Sequence, residues 1–317
     1  MEMEGDNISM KDKFKDNCKA FDSFIEIYTP KEFNFKECLV YLNRSDLECT
    51  HKVRDKKVYK LIKIEDNKTL VEISHNDGIM KVKFLNHIPN KIIKEKIGLH
   101  VWNMFDLSTN LTSFYESVGE NFILSKLMDK YYGLRIIKIN NLFECLCWAI
   151  IGQQINLKFA YTLKKRIVEK YGESVTYENE EYWLFPKVKV IANLKVEHLK
   201  ELQFTIRKAE YVIDVAKLFL NKEFEKEILK NNLSYNELFK KLISIRGIGS
   251  WTADYAIMKS FSINCAFPIK DVGIQNALKN ILGLEKKPEL EEIELMAENW
   301  KDWESYATFY LWRSLYD

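Results

Sequence analysis

LISIRGIGSWTADYAIMKSF, Leu242 to Phe261, decides how this chain is read. Its apolar spacing ends one helix near Ser244, Gly247 and Gly249 make a tight turn around Ile248, and Ser250-Trp251-Thr252-Ala253 opens a second helix. The pattern is helix, hairpin, helix. Two glycines flanking one apolar residue let the backbone take positive φ and keep side chains out of the way of a close ligand. The amides of Gly247, Gly249 and Ser250 then point outward, toward an anion such as phosphate. Such a turn grips a nucleic-acid backbone without reading its sequence. The bare Gly-x-Gly fits a plain helix-helix turn equally well, so the weight falls on what surrounds it. Trp251 follows at once, and downstream comes CAFPIKDVGIQNAL (265 to 278), in which Asp271 follows Pro268 and precedes a helix. Taken alone, Asp271 is the N-cap of that helix.

Working outward, LFECLCWAIIGQQINLKFAYTLKKRIVEKY (142 to 171) carries apolar residues on both sides of a polar GQQ interruption, which predicts two helices meeting at a short turn. Further helices are expected at about 197–220, 235–244, 251–262, 272–282, 289–299 and 303–316. Residues 106–317 therefore read as all-α, with the hairpin at 242–261. Toward the amino terminus, Phe35, Cys38, Leu39 and Leu42 recur at helical spacing. From Val53 to Phe84 the period changes to two: VYKLIKI, TLVEIS, the turn HNDG and IMKVKF predict an antiparallel meander with one solvated face. Residues 21–105 read as a small α+β domain, and residues 1–20 as a flexible terminus. The alternating lysines and Arg54 are read as plain solubility of the sheet rather than a binding face. The expected fold is mainly α with a small α+β amino-terminal domain.

Composition narrows the classes. The chain has 317 residues, of which 47% are apolar and 30% charged, which excludes a disordered chain. The 48 basic against 46 acidic residues give +2, so charge neither shows nor excludes a nucleic-acid partner. The longest apolar run, Cys145 to Ile151, is far short of the roughly 18 to 20 residues that cross a bilayer. MEMEGDNISMKDKFKD lacks the apolar core of a secretory signal, so a cytoplasmic protein beginning near Met1 is expected. Cys18, Cys38, Cys49, Cys145, Cys147 and Cys265 lack zinc or iron-sulfur spacing and read as reduced thiols.

On these motifs, residues 242–282 resemble the helix-hairpin-helix plus Gly/Pro-Asp (HhH-GPD) segment of the base-excision DNA glycosylase superfamily. GIG stands at the hairpin, Pro268 in the proline-rich loop and Asp271 as the closing aspartate. FECLCWAIIGQQIN (143–156) is similar to the helix and turn carrying the DNA-inserting loop. WKDWESYATFYLW (300–312) is similar to the final helix of the 3-methyladenine DNA glycosylase II family. The resemblance covers the chain from about residue 30 onward and implies an antiparallel sheet domain plus a two-part helical bundle.

What the resemblance implies chemically is base removal. Breaking a C1′–N bond passes through positive charge on the sugar, so a nearby carboxylate and a water are needed, and Asp271 is the candidate. Relatives that also cleave the strand place a Schiff-base lysine two residues after the second hairpin glycine; this chain has Trp251, which implies a monofunctional enzyme. A base must be flipped and held by stacking. Trp251, Tyr255 and Trp312 match the aromatic positions of the family pocket, and the first two share a helical face. Aromatic walls suit positively charged alkylated purines, although such spacing also describes ordinary core packing. Gln154 stands at the wedge position, with Gln153 the alternative. Gly247, Gly249 and Ser250 are the expected phosphate contacts, and Lys270 takes a phosphate or solvent role. The carbonyls of Ile243, Ile245 and Ile248 match those that hold a monovalent cation, Na or K, in such hairpins; no other cofactor is expected. The expected partner is double-stranded DNA with damaged bases, bound by a monomer. The rivals are an 8-oxoguanine-type glycosylase with lyase activity and a helix-hairpin-helix module that binds DNA without chemistry.

Overall fold

In a computed structural model, residues 10–119, 121–221, 224, 229 and 233–317 are described. The expected meander is present and is part of a larger antiparallel sheet. Strands β1 (Cys18–Ala20), β2 (Phe24–Tyr28), β3 (Lys52–Arg54), β4 (Lys57–Ile64), β5 (Asn67–Asn76) and β6 (Ile79–Phe84) lie in the order β1-β2-β6-β5-β4-β3. Period-two alternation puts Met80, Val82 and Phe84 inside while Lys81 and Lys83 face out. Register aligns Ile25 with Val82 and Val82 with Ile73, which builds one continuous apolar face. The turns place Asp55-Lys56, Glu65 and Asp77-Gly78 at positive φ, which Asp and Gly adopt more readily than Lys and Glu.

Two expectations are corrected here. The terminal segment read as flexible over 1–20 is structured from residue 10: Met10–Asp16 is a helix and β1 pairs with β2. Phe14 anchors it, 5% exposed and edge-on to Trp102 at 5.9 Å. Residues 1–9 lie outside the described residues. The region 106–317 is also not all-α. Strands β7 (Glu173–Tyr177) and β8 (Glu180–Leu184) form a hairpin through Glu178-Asn179, both at positive φ. ESVTY and EYWL are rich in β-branched and aromatic residues, and Tyr182 buries against Leu61 and Leu70 on the outer face of the sheet. Several of the sheet's basic residues are engaged by that hairpin: Lys52 and Arg54 with Glu180, Lys63 with Glu173.

The helices expected at 235–244, 251–262 and 272–282 are Tyr235–Ile243, Ser250–Ser260 and Val272–Leu282. The one expected over 197–220 is two, Val196–Lys200 and Ile206–Leu220, because Gln203 takes φ +70° and Thr205 caps the second helix. Among the described residues, six helices begin on an asparagine whose side chain accepts a first-turn N–H: Asn34, Asn90, Asn110, Asn121, Asn141 and Asn156. Leu142–Gly152 is buried on all sides except near its ends and packs on Ser250–Ser260 and Ile206–Leu220, so it forms the axis of the helical part. Glu304–Arg313 is equally enclosed.

Acids of the 32–48 segment reach across to cations of the helical part. Arg135 pairs with Glu32 at 2.6 Å, Arg313 with Glu37 at 2.8 Å and Lys164 with Glu48 at 2.8 Å. Among the described residues, no helix is long and apolar enough to cross a membrane. All six cysteines are free and four are buried.

Candidate active site

The hairpin joins Tyr235–Ile243 to Ser250–Ser260. Gly247 takes φ +90°, and a Cβ there would lie 2.3 Å from the ring of Tyr211, so both conformation and space require glycine. Gly249 differs from expectation: its φ of −91° is ordinary, and a Cβ would meet nothing within 4 Å. Its smallness keeps the approach to the helix start open rather than permitting the turn. No side chain caps that start, and Ser250 is exposed beside it. Arg246, in the hairpin itself, is committed to Glu210 and Asp214, which leaves backbone amides to face an anion.

Asp271 caps Val272–Leu282, as its sequence position suggested, and does more. Its Oδ1 accepts from Gly273 N at 2.8 Å, Ile274 N at 3.2 Å and Trp312 Nε1 at 2.8 Å. Its Oδ2 accepts from Trp251 Nε1 at 2.8 Å. Two indoles from helices far apart in sequence thus hold one carboxylate. Gly273 makes room for this: a Cβ there would sit 2.7 Å from Oδ1 and 3.0 Å from the Trp312 indole. Trp251 stacks on Tyr255 with centroids 5.5 Å apart, and Tyr255 meets Trp312 at 6.0 Å. Burial pushes the Tyr255 hydroxyl well above its ordinary pKa, so it stays protonated.

These groups line an open cleft of about 830 Å³ together with Gln153, Gln154 and Lys270. The two glutamines part ways. Gln153 Nε2 donates to Gly247 O at 2.9 Å and Thr252 Oγ1 at 3.0 Å, which ties the GQQ turn to the hairpin. Gln154 is exposed at φ +54°. Lys270 is exposed at the cleft wall. In the hairpin, Ile248 N donates to Ile245 O at 3.0 Å, and Ile243 is 41% exposed.

The sequence did not single out Tyr41, Arg44, Trp148, Asn276 and Tyr316, which also line the cleft. The Phe35–Leu42 helix was legible, yet nothing local shows that its end reaches a site more than 200 residues downstream. The nitrogens of Trp251 and Trp312 were likewise hidden, since their spacing predicts ring packing and not donation to Asp271.

A carboxylate gripped by two indoles thus stands in an aromatic cleft, near an uncapped helix start on a glycine hairpin. The family described as HhH-GPD superfamily base excision DNA repair protein matches residues 147–304, and the 8-oxoguanine DNA glycosylase N-terminal domain matches residues 27–146. The chain belongs to the HhH-GPD superfamily of base-excision DNA repair proteins. It is 40% identical to the DNA-3-methyladenine glycosylase of Bacillus subtilis over 92% of this chain and 97% of that protein. In fold it is similar to the 3-methyladenine DNA-glycosylase from Archaeoglobus fulgidus, with TM-score 0.77 and 22% identity over 90% of this chain and 96% of that one. It is also similar to the Clostridium acetobutylicum 8-oxoguanine glycosylase/lyase in complex with double-stranded DNA, with TM-score 0.73 and 19% identity over 94% and 96%.

Proposed function

We propose that this protein is a monofunctional DNA glycosylase that flips alkylated purines of the 3-methyladenine type out of duplex DNA and hydrolyses their N-glycosidic bond. The observation that carries this is Asp271 at the cleft wall with the Trp251 nitrogen on its Oδ2. At that place the strand-cleaving relatives use a lysine, and an indole forms no imine.

The two carboxylate oxygens are unequal. Oδ1 accepts three N–H groups and Oδ2 one, so Oδ2 keeps a lone pair for the sugar or for water. Positive charge grows on C1′ as the base departs, and a fixed negative oxygen stabilises that state more than the ground state. The same oxygen accepts the proton of the attacking water. The flipped ring lies against the wall formed by Trp251, Tyr255 and Trp312, whose π-faces attract a base that itself carries positive charge. Gln154 enters the stack in its place. Amides of Gly249 and Ser250 hold a phosphate, and the exposed Lys270 of the cleft lining takes another phosphate or solvent. The Ile243, Ile245 and Ile248 carbonyls would hold Na or K by neutral oxygen donors, and such an ion would add positive charge toward the phosphate.

The test is single-turnover excision on duplexes carrying methylated adenine or 8-oxoguanine, read with and without alkali and with borohydride. Strand breaks on the methylated base that need alkali, with no trapped adduct, are expected. Asp271→Asn should lower excision by a factor of about 100 or more while affinity for an abasic-site duplex changes little. A borohydride adduct overturns the monofunctional reading, and near wild-type excision by the variant overturns the role of Asp271.

A further inference from the structure

Arg44 lies just beyond the Phe35–Leu42 helix, half-buried, with its guanidinium carbon 3.8 Å from the centre of the Tyr41 ring and 5.6 Å from that of Tyr161. Its Nη1 donates to Tyr41 O at 3.0 Å. Among the described residues no carboxylate oxygen lies within 4.0 Å of Arg44, as is also the case for Arg166 and Arg207, whereas Arg54, Arg135, Arg246 and Arg313 each hold one. A guanidinium carries five N–H donors and no acceptor. Arg44 therefore brings unspent donors and a fixed positive charge into the cleft that holds Asp271, Trp251 and Tyr255.

This charge is at odds with a site for cationic bases alone. A purine methylated at N7 is positively charged and leaves as a neutral molecule, so it gains nothing from a cation near its ring. A neutral oxopurine such as hypoxanthine has the opposite need. Its departure places negative charge on the ring, chiefly at N7 and O6, unless the protein donates to those atoms. Arginine matches an N7/O6 edge in bidentate fashion, and a donor that strengthens its bond as charge develops lowers the barrier.

We infer that Arg44 is a specificity-determining residue that donates to the N7/O6 edge of a flipped neutral purine and so extends excision to uncharged lesions. The inference rests on the glycosylase reading above. Its stacking on Tyr41 fixes the plane of the guanidinium, so that the donors stay aimed when the cleft is empty.

The experiment compares single-turnover excision of hypoxanthine and of 7-methylguanine from otherwise identical duplexes by the full chain, Arg44→Met and Arg44→Lys. Methionine keeps an apolar stem on Tyr41, and the second base has no free N7, so it reports folding and DNA binding in the same variant. Expected are a tenfold or larger loss on hypoxanthine with less than a threefold change on 7-methylguanine for Arg44→Met, and partial recovery on hypoxanthine for Arg44→Lys. Equal losses on both bases, or none on hypoxanthine, overturn the inference. So does a wild-type protein that releases 7-methylguanine but no hypoxanthine. Release of neither base by the wild type sinks the glycosylase reading itself.

Discussion

Gly247 and Gly249 stand two apart in one turn and do different work. Gly247→Ala must fit a Cβ against the Tyr211 ring at positive φ, which should cost about 2 kcal/mol or more; a urea midpoint measures it. Gly249→Ala meets no neighbour, so it should fold with unchanged stability and bind duplex DNA several-fold more weakly, as a salt titration of binding will read. Loss of stability in the second variant, or none in the first, would contradict these roles. At this scale the sequence singled out GIG, Asp271 and the aromatics, and the structure brings Asp271, Trp251, Tyr255 and Trp312 to one cleft. The sequence concealed which atoms they use. Trp312 is 41 residues from Asp271, and only the folded chain brings its nitrogen to Oδ1.

The helices around the hairpin carry a second carboxylate. Asp254, on Ser250–Ser260, is 6% exposed and accepts from Tyr235 OH at 2.7 Å. Burial raises its pKa to about 6, although the Tyr235 hydrogen bond works against this. The native carboxyl thus keeps a proton that the unfolded chain releases near its ordinary value of 3.8. Its contribution to stability is complete below that value and is lost as pH rises through about 6. Asp254→Asn removes this dependence. The variant should exceed the wild type by on the order of 2–3 kcal/mol above pH 6, and the gap should close as pH falls toward 4, as urea unfolding at a series of pH values will show. The helices Tyr235–Ile243, Ser250–Ser260 and Val272–Leu282 were legible because their apolar positions recur at helical spacing between turn residues. The β7–β8 hairpin was not: its strands are five residues each, only Tyr182 among them is buried, and the surface that selects it belongs to β4 and β5.

Across the whole molecule, one apolar cluster runs from the sheet into the helices, and the buried ion pairs cross the same seam. Lys164 and Glu48 are each 8% exposed in their side chains. Burial opposes the charge on Glu48, but Lys164 and His51 outweigh it and hold its pKa well below the usual carboxylate range. The pair's stabilisation is therefore present above about pH 4.5, the ordinary value, and is lost as pH falls below it. Glu48→Gln strands the lysine without its partner and should cost about 3–5 kcal/mol, seen as a lowered urea midpoint at neutral pH; a change below about 1 kcal/mol would mean that water reaches the pair. None of these pairings follows from the sequence, because the partners are separated by 103 to 276 residues.

The sheet's borders carry a last consequence. Both outermost strands, β1 and β3, have only three residues, and the five-residue β2 with its fully buried Ile25 and Ile27 is shielded from outside by β1. A foreign strand seeking free N–H and C=O groups thus finds little length to pair with, so the fold discourages edge-to-edge aggregation. The short amino-terminal segment acts as a chaperoning border for the chain's most apolar ribbon.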